Sequence, residues 1–225
     1  MVKFFTLLSP FILFSSVFGA EQLVLVLAPE MNSTGATMQR YSKEGVWQKT
    51  GEAVAVTLGR NGLGWSDGEN PLKYEGDGRS PAGVFAITRT FGSDLAANSA
   101  MPYVYADENV ICIDESSDER YNQIAVLDPA HPPKSYETMR RTDEVYRNGA
   151  IVEYNAQGEK GRGSCIFIHL NHPDHRPTAG CTAMEESALK ELLGWFDPSK
   201  NPVMVQIPKR ECEKYQQEFT GIDCR

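Results

Sequence analysis

Gly161-Arg162-Gly163-Ser164-Cys165-Ile166-Phe167-Ile168-His169-Leu170-Asn171-His172-Pro173-Asp174-His175-Arg176-Pro177-Thr178-Ala179-Gly180-Cys181-Thr182-Ala183-Met184 is the stretch that organises this chain of 225 residues. The apolar run at 165–170 has the Ile, Phe and Leu content of a buried strand. It ends near His169. A polar loop holding Pro173 and Pro177 follows and closes on Gly180-Cys181. Three of the 4 histidines, and a cysteine, fall within the thirteen positions 169–181.

Outward from there, short apolar runs of strand type recur at Gln22–Ala28 and at 53–58, 83–88, 101–105, 124–127, 150–154 and 202–207. Turn chemistry separates them, as at Asn61-Gly62, Asp67-Gly68 and Asp77-Gly78. The clearest helix is predicted over 185–196. Leu189, Leu192, Leu193 and Phe196 make one apolar stripe there, and Asp197-Pro198 ends it. A second, weakly patterned helix is expected over 133–146. Many strands and one or two helices predict a mainly β domain, a barrel or a sandwich with the helices packed on it.

The first twenty residues read as a secretory signal. Lys3 is the only charge before Glu21, an apolar run covers 4–18, and Gly19 and Ala20 are small. The run is short for a span, which needs about 20 apolar residues; an uncleaved anchor is the alternative. The expected organisation is a signal at 1–20, a catalytic domain at 21–207 and a polar tail at 208–225. Export implies the periplasm or cell envelope, where disulfides persist. Five cysteines allow two bridges and one free thiol. A Cys212–Cys224 bridge would tie down the tail. Cys112 and Cys165 would then pair or stay buried as small apolar residues. A net charge of -8 argues against nucleic-acid partners and anionic lipid. Oligomeric state is not legible.

The residues at 161–184 suit nucleophilic catalysis. A thiol reacts as thiolate and needs a base nearby. His169 supplies one if the loop folds back. Gly180 removes a side chain before Cys181, so N–H groups from Ala179 to Cys181 can turn toward a developing oxyanion. A helix start a few residues after Cys181 favours an anion weakly. Two other readings stay open on these residues: a His3Cys zinc site from His169, His172, His175 and Cys181, and a disulfide-bonded Cys181 beside solvated histidines.

The segment His169…Thr178-Ala179-Gly180-Cys181 resembles the His…Ser/Thr-x-Gly-Cys signature of the L,D-transpeptidase catalytic domain. Upstream, Gly76-Asp77-Gly78-Arg79-Ser80-Pro81-Ala82-Gly83-Val84-Phe85 is similar to that family's Gly-Asp-x-x-Thr-Pro-x-Gly-x-Phe/Tyr segment. The resemblance spans roughly residues 58–207. It implies a β-rich domain, no cofactor, and peptidoglycan stem peptides as substrate. It implies attack on the carbonyl joining the L-centre of a meso-diaminopimelate to a terminal D-Ala. D-Ala then leaves, and an amine from a second stem, or water, resolves the acyl-enzyme. Cys181 takes the nucleophile's place and His169 the base's, oriented by a backbone carbonyl. Gly180 and the Cys181 N–H take the oxyanion hole, with Ala179, Thr178 and Arg176 on the substrate side. Water as acceptor gives an L,D-carboxypeptidase; the acceptor depends on loops such as 94–102 and 115–121. A wall-binding module with an unused catalytic pair is the non-enzyme alternative, and a disulfide at Cys181 would favour it.

The chain departs from the family at Ala183, where an arginine is usual, and at Leu170, where glycine is common. Arg176 and Arg162 are the candidate replacements for the missing guanidinium. On strand alternation, Cys165 should face the same side as His169, which raises the idea of a resolving thiol for Cys181.

Overall fold

A computed structural model describes residues 19–94 and 99–225. The proposed signal at 1–20 lies almost wholly outside these residues, as do 95–98 of the loop at 94–102. The strands are β1 (Gln22–Ala28), β2 (Gly35–Glu44), β3 (Val46–Thr57), β4 (Leu63–Trp65), β5 (Ser80–Gly92), β6 (Tyr103–Tyr105) and β7 (Val110–Cys112). Then follow β8 (Ile124–Val126), β9 (Glu137–Thr138), β10 (Asn148–Val152), β11 (Phe167–Leu170), β12 (Thr182–Met184) and β13 (Val203–Pro208). The helices are α1 (Glu186–Trp195) and the single turn α2 (Cys212–Tyr215). No helix among the described residues is long and apolar enough to cross a membrane.

The main sheet runs β10-β11-β12-β3-β2-β1-β13-β5, and β10 also pairs with β5. The strands therefore close on themselves, which makes the mainly β expectation a barrel. Closure is thinnest between β12 and β3, where a single pair, Ala183 with Thr57, joins the two. β1 and β13 run parallel through the middle and are buried on both faces, as runs that are apolar except for Gln22 and Gln206 require. A second sheet, β8-β7-β9, stands beside the barrel.

The helix expected over 185–196 forms as α1, its Leu189, Leu192, Leu193 and Phe196 buried against the barrel. The helix expected over 133–146 does not form. That segment is turns around β9, whose register follows Cys112 with Glu137 and Ile111 with Thr138. Glu144 adopts a left-handed φ of 58°, which a helix does not accommodate. The long β2–β3 hairpin reaches well beyond the strand expected at 53–58. Its outer residues are polar on the solvent side, so a search for apolar runs passes over them. The tail folds back over this hairpin: Trp47 N–H donates to the Thr220 carbonyl and Phe219 packs on Trp47. A Cys212–Cys224 disulfide holds it.

Candidate active site

β11 and β12 are parallel neighbours, with His169 opposite Ala183. The loop between them returns Cys181 to the end of β12, beside the strand that carries His169. This is the fold-back that a thiol–imidazole pair requires. Cys181 is followed by a strand before α1 begins, so the helix dipole expected to help its thiol starts beyond β12. Both side chains line a cavity of about 350 Å³ together with Thr178, Gly180, Tyr146, Lys73 and Arg141.

Cys181 is the one free cysteine among the described residues. Its Sγ accepts the Phe167 N–H at 3.3 Å and donates to the Cys165 carbonyl at 3.5 Å. Burial pushes the thiol up to about 12; nearby Glu137 adds to the rise, while the Phe167 N–H and, least, the Lys73 charge act against it. The His169 Nδ1 lies 2.7 Å from the Leu170 carbonyl. A carbonyl only accepts, so Nδ1 carries the proton and Nε2 is left basic. Burial pulls His169 down to about 4. At neutral pH the pair is therefore thiol and neutral imidazole. Tyr146 packs edge-on against the imidazole, ring centroids 5.1 Å apart, and its hydroxyl donates to Glu137 at 2.8 Å.

Two hydroxyls hold the Cys181 carbonyl. Ser80 Oγ and Thr178 Oγ1 both donate to the Cys181 carbonyl, at 3.0 and 2.7 Å. Ser80 Oγ in turn accepts the Gly59 N–H at 2.9 Å, and Thr178 Oγ1 accepts the Gly180 N–H at 3.1 Å. The Gly180 amide is thus engaged within its own loop. A Cβ on Gly180 would sit 3.0 Å from the Arg79 carbonyl, so a side chain here would push the two motifs apart. Asp77 shapes the upstream motif by accepting from Lys73 Nζ and from the Tyr74 and Arg79 amides.

The two sequence motifs, far apart in the chain, thus meet at one carbonyl. Residues 32–205 match the family model for the L,D-transpeptidase catalytic domain, YkuD. The chain belongs to this family. No curated protein sequence matches it at a significant level.

Within this L,D-transpeptidase domain several expectations change. Cys165 does not share a face with His169. It precedes β11 with a left-handed φ of 56° and is bridged to Cys112, so strand alternation does not apply to it and it is no resolving thiol for Cys181. The His3Cys set does not assemble: His172 turns to Asp174 at 2.6 Å and His175 to Glu185 at 3.5 Å. Arg162 points away, its guanidinium over the Tyr74 ring and donating to the Ser66 carbonyl. Arg176 and exposed Ala179 line the cavity, Arg176 from the rim with its side chain 59% exposed. Ser80, Lys73, Tyr146, Glu137 and Arg141 entered the site unannounced. Ser80 lay inside a quoted motif without a role, and the last three sit in or next to the segment read as a helix.

Proposed function

We propose that this L,D-transpeptidase-family protein is an exported enzyme that acylates Cys181 with a peptidoglycan stem peptide and transfers the acyl group to an amine. The observation that carries the reading is the cavity shared by the free Cys181 thiol and a neutral His169 whose Nε2 is unprotonated. Export is supported by two disulfides, Cys112–Cys165 and Cys212–Cys224, and by the leader-like first residues.

In the proposed sequence, His169 Nε2 takes the thiol proton as Sγ turns from the Cys165 carbonyl to the substrate. The thiolate adds to the carbonyl between diaminopimelate and D-Ala. The Cys181 N–H faces the oxyanion, while Ser80 and Thr178 hold the carbonyl on the other side of the same residue. The imidazolium then returns the proton to the departing D-Ala nitrogen, leaving a thioester. An acceptor amine loses its proton to His169 and breaks the thioester.

The test is mass spectrometry of tetrapeptide muropeptides incubated with the mature protein, beside a Cys181→Ala control. Cross-linked dimers or D-amino-acid exchange that depend on Cys181 support transpeptidation. Trimmed tripeptides alone convert the reading to L,D-carboxypeptidation. Absence of any Cys181-dependent product removes the enzymatic reading and returns weight to a wall-binding role.

A further inference from the structure

Lysine is almost never fully buried without a reason, because removing an ammonium from water costs several kcal/mol that one ion pair barely offsets. Lys73 is 3% exposed and lines the cavity that holds Cys181 and His169. The other buried cation among the described residues, Arg40, lies against Glu191 of α1, outside that cavity. An ammonium has three N–H donors. Two are used, to the Tyr74 carbonyl at 2.6 Å and to Asp77 Oδ1 at 2.8 Å. Asp77 also accepts from the Tyr74 and Arg79 amides, which fixes the carboxylate and with it the position of Nζ. Gly163 passes close by; a Cβ there would sit 3.1 Å from Nζ.

The other arginines at the cavity are less suited to hold an anion in place. Arg141 is gripped fork-on-fork by Asp143 at 2.9 and 2.6 Å. Arg60 is exposed and donates to the Gly76 carbonyl at 3.4 Å. Arg176 is on the rim and mostly in water. A stem peptide cleaved before its last residue brings one carboxylate close to the reacting carbon. Backbone dimensions put the carboxyl carbon of that residue within about 4 Å of the attacked carbonyl carbon. That anion must enter the same cavity as the Cys181 thiol.

We infer that Lys73 is the anchor for the C-terminal carboxylate of the departing residue, a specificity subsite. The inference rests on the function proposed above. It makes the enzyme selective for stems with a free carboxyl end: the third N–H of Lys73 gives the carboxylate a charge-assisted hydrogen bond within the cavity.

The experiment compares kcat/KM for a tetrapeptide stem ending in D-Ala with the same stem ending in D-Ala amide, for the wild type and for Lys73→Met. The wild type should prefer the acid by tenfold or more. Lys73→Met should lose at least tenfold on the acid and less than threefold on the amide. Lys73→Arg should recover part of the preference. Lys73→Gln, which keeps two N–H donors for Tyr74 and Asp77 without the charge, carries the same test if Lys73→Met does not fold. Equal losses on both substrates would make Lys73 a scaffold residue and overturn the inference, as would a wild type indifferent to the amide. Failure of the proposed function looks different: neither substrate would then be turned over in a Cys181-dependent way.

Discussion

The Cys181 thiol donates its proton to the Cys165 carbonyl at 3.5 Å, and no hydrogen bond joins it to His169 among the described residues. The thiol is thus parked against the residue that the Cys112–Cys165 disulfide holds in a left-handed conformation. The bridge ties β7 of the side sheet to the chain that leads into His169.

The first consequence concerns that bridge. Cys112→Ser with Cys165→Ala should lower stability by about 2–4 kcal/mol, since the link spans 53 residues. It should also lower kcat about tenfold or more at 20 °C, where the variant remains folded. Removing Cys212–Cys224, which closes a separation of 12 residues at the tail, should cost less stability and leave kcat within twofold. Denaturant titration and single-turnover kinetics read both effects. Equal kcat losses from the two bridges would contradict the link to Cys181.

A second consequence is the acid limb of activity. The pH profile of kcat/KM reports groups of the free enzyme. Burial holds His169 near 4, so activity should stay level from neutral pH down to about 5 and fall only near 4. A limb centred at 6.5 would mean that the imidazole is solvated.

The same burial ties stability to pH. The folded His169 binds its proton less readily than the unfolded residue does. Its contribution is therefore full above about 6.5 and declines as pH falls toward 4, by an amount on the order of 3 kcal/mol. Cys181 has the opposite sign: its thiol is raised, so its contribution is present below about 9 and is lost as pH rises toward 12. Urea midpoints of the wild type, compared from pH 4 to 8 with His169→Gln, isolate the first effect. Parallel curves would contradict it.

Ser80→Ala tests the double hold on the Cys181 carbonyl. It removes one donor from the Cys181 carbonyl and the acceptor of the Gly59 N–H. A cost of about 1–3 kcal/mol in stability follows from the unpaired buried groups. In kinetics, kcat should fall more than tenfold while KM moves less than threefold. A change confined to KM would assign Ser80 to substrate binding instead.

Much of the fold was legible because the barrel's inner strands carry unmistakable runs, such as Leu23 to Ala28 and Val203 to Ile207. Strands that depend on partners were not. β12 is three residues long and exists because Ile168, His169 and Leu170 offer it a ladder. β9 likewise exists only against β7. Of the candidate site, Cys181, His169, Thr178 and Gly180 were readable because they stand in one segment. Lys73 and Tyr146 were not, because nothing local marks a lysine or a tyrosine that the fold will bury beside a thiol. Cys165 misled for a related reason: alternation holds along a strand, and the strand begins two residues later.

The most direct test of the central claim is intact-protein mass spectrometry, within seconds of mixing the mature protein with a tetrapeptide stem. The account predicts an adduct equal to the stem minus D-Ala, located on Cys181 by peptide mapping, absent in Cys181→Ala, and slow to form in His169→Ala. Release of D-Ala at the wild-type rate by Cys181→Ala, or an adduct on another residue, would contradict it.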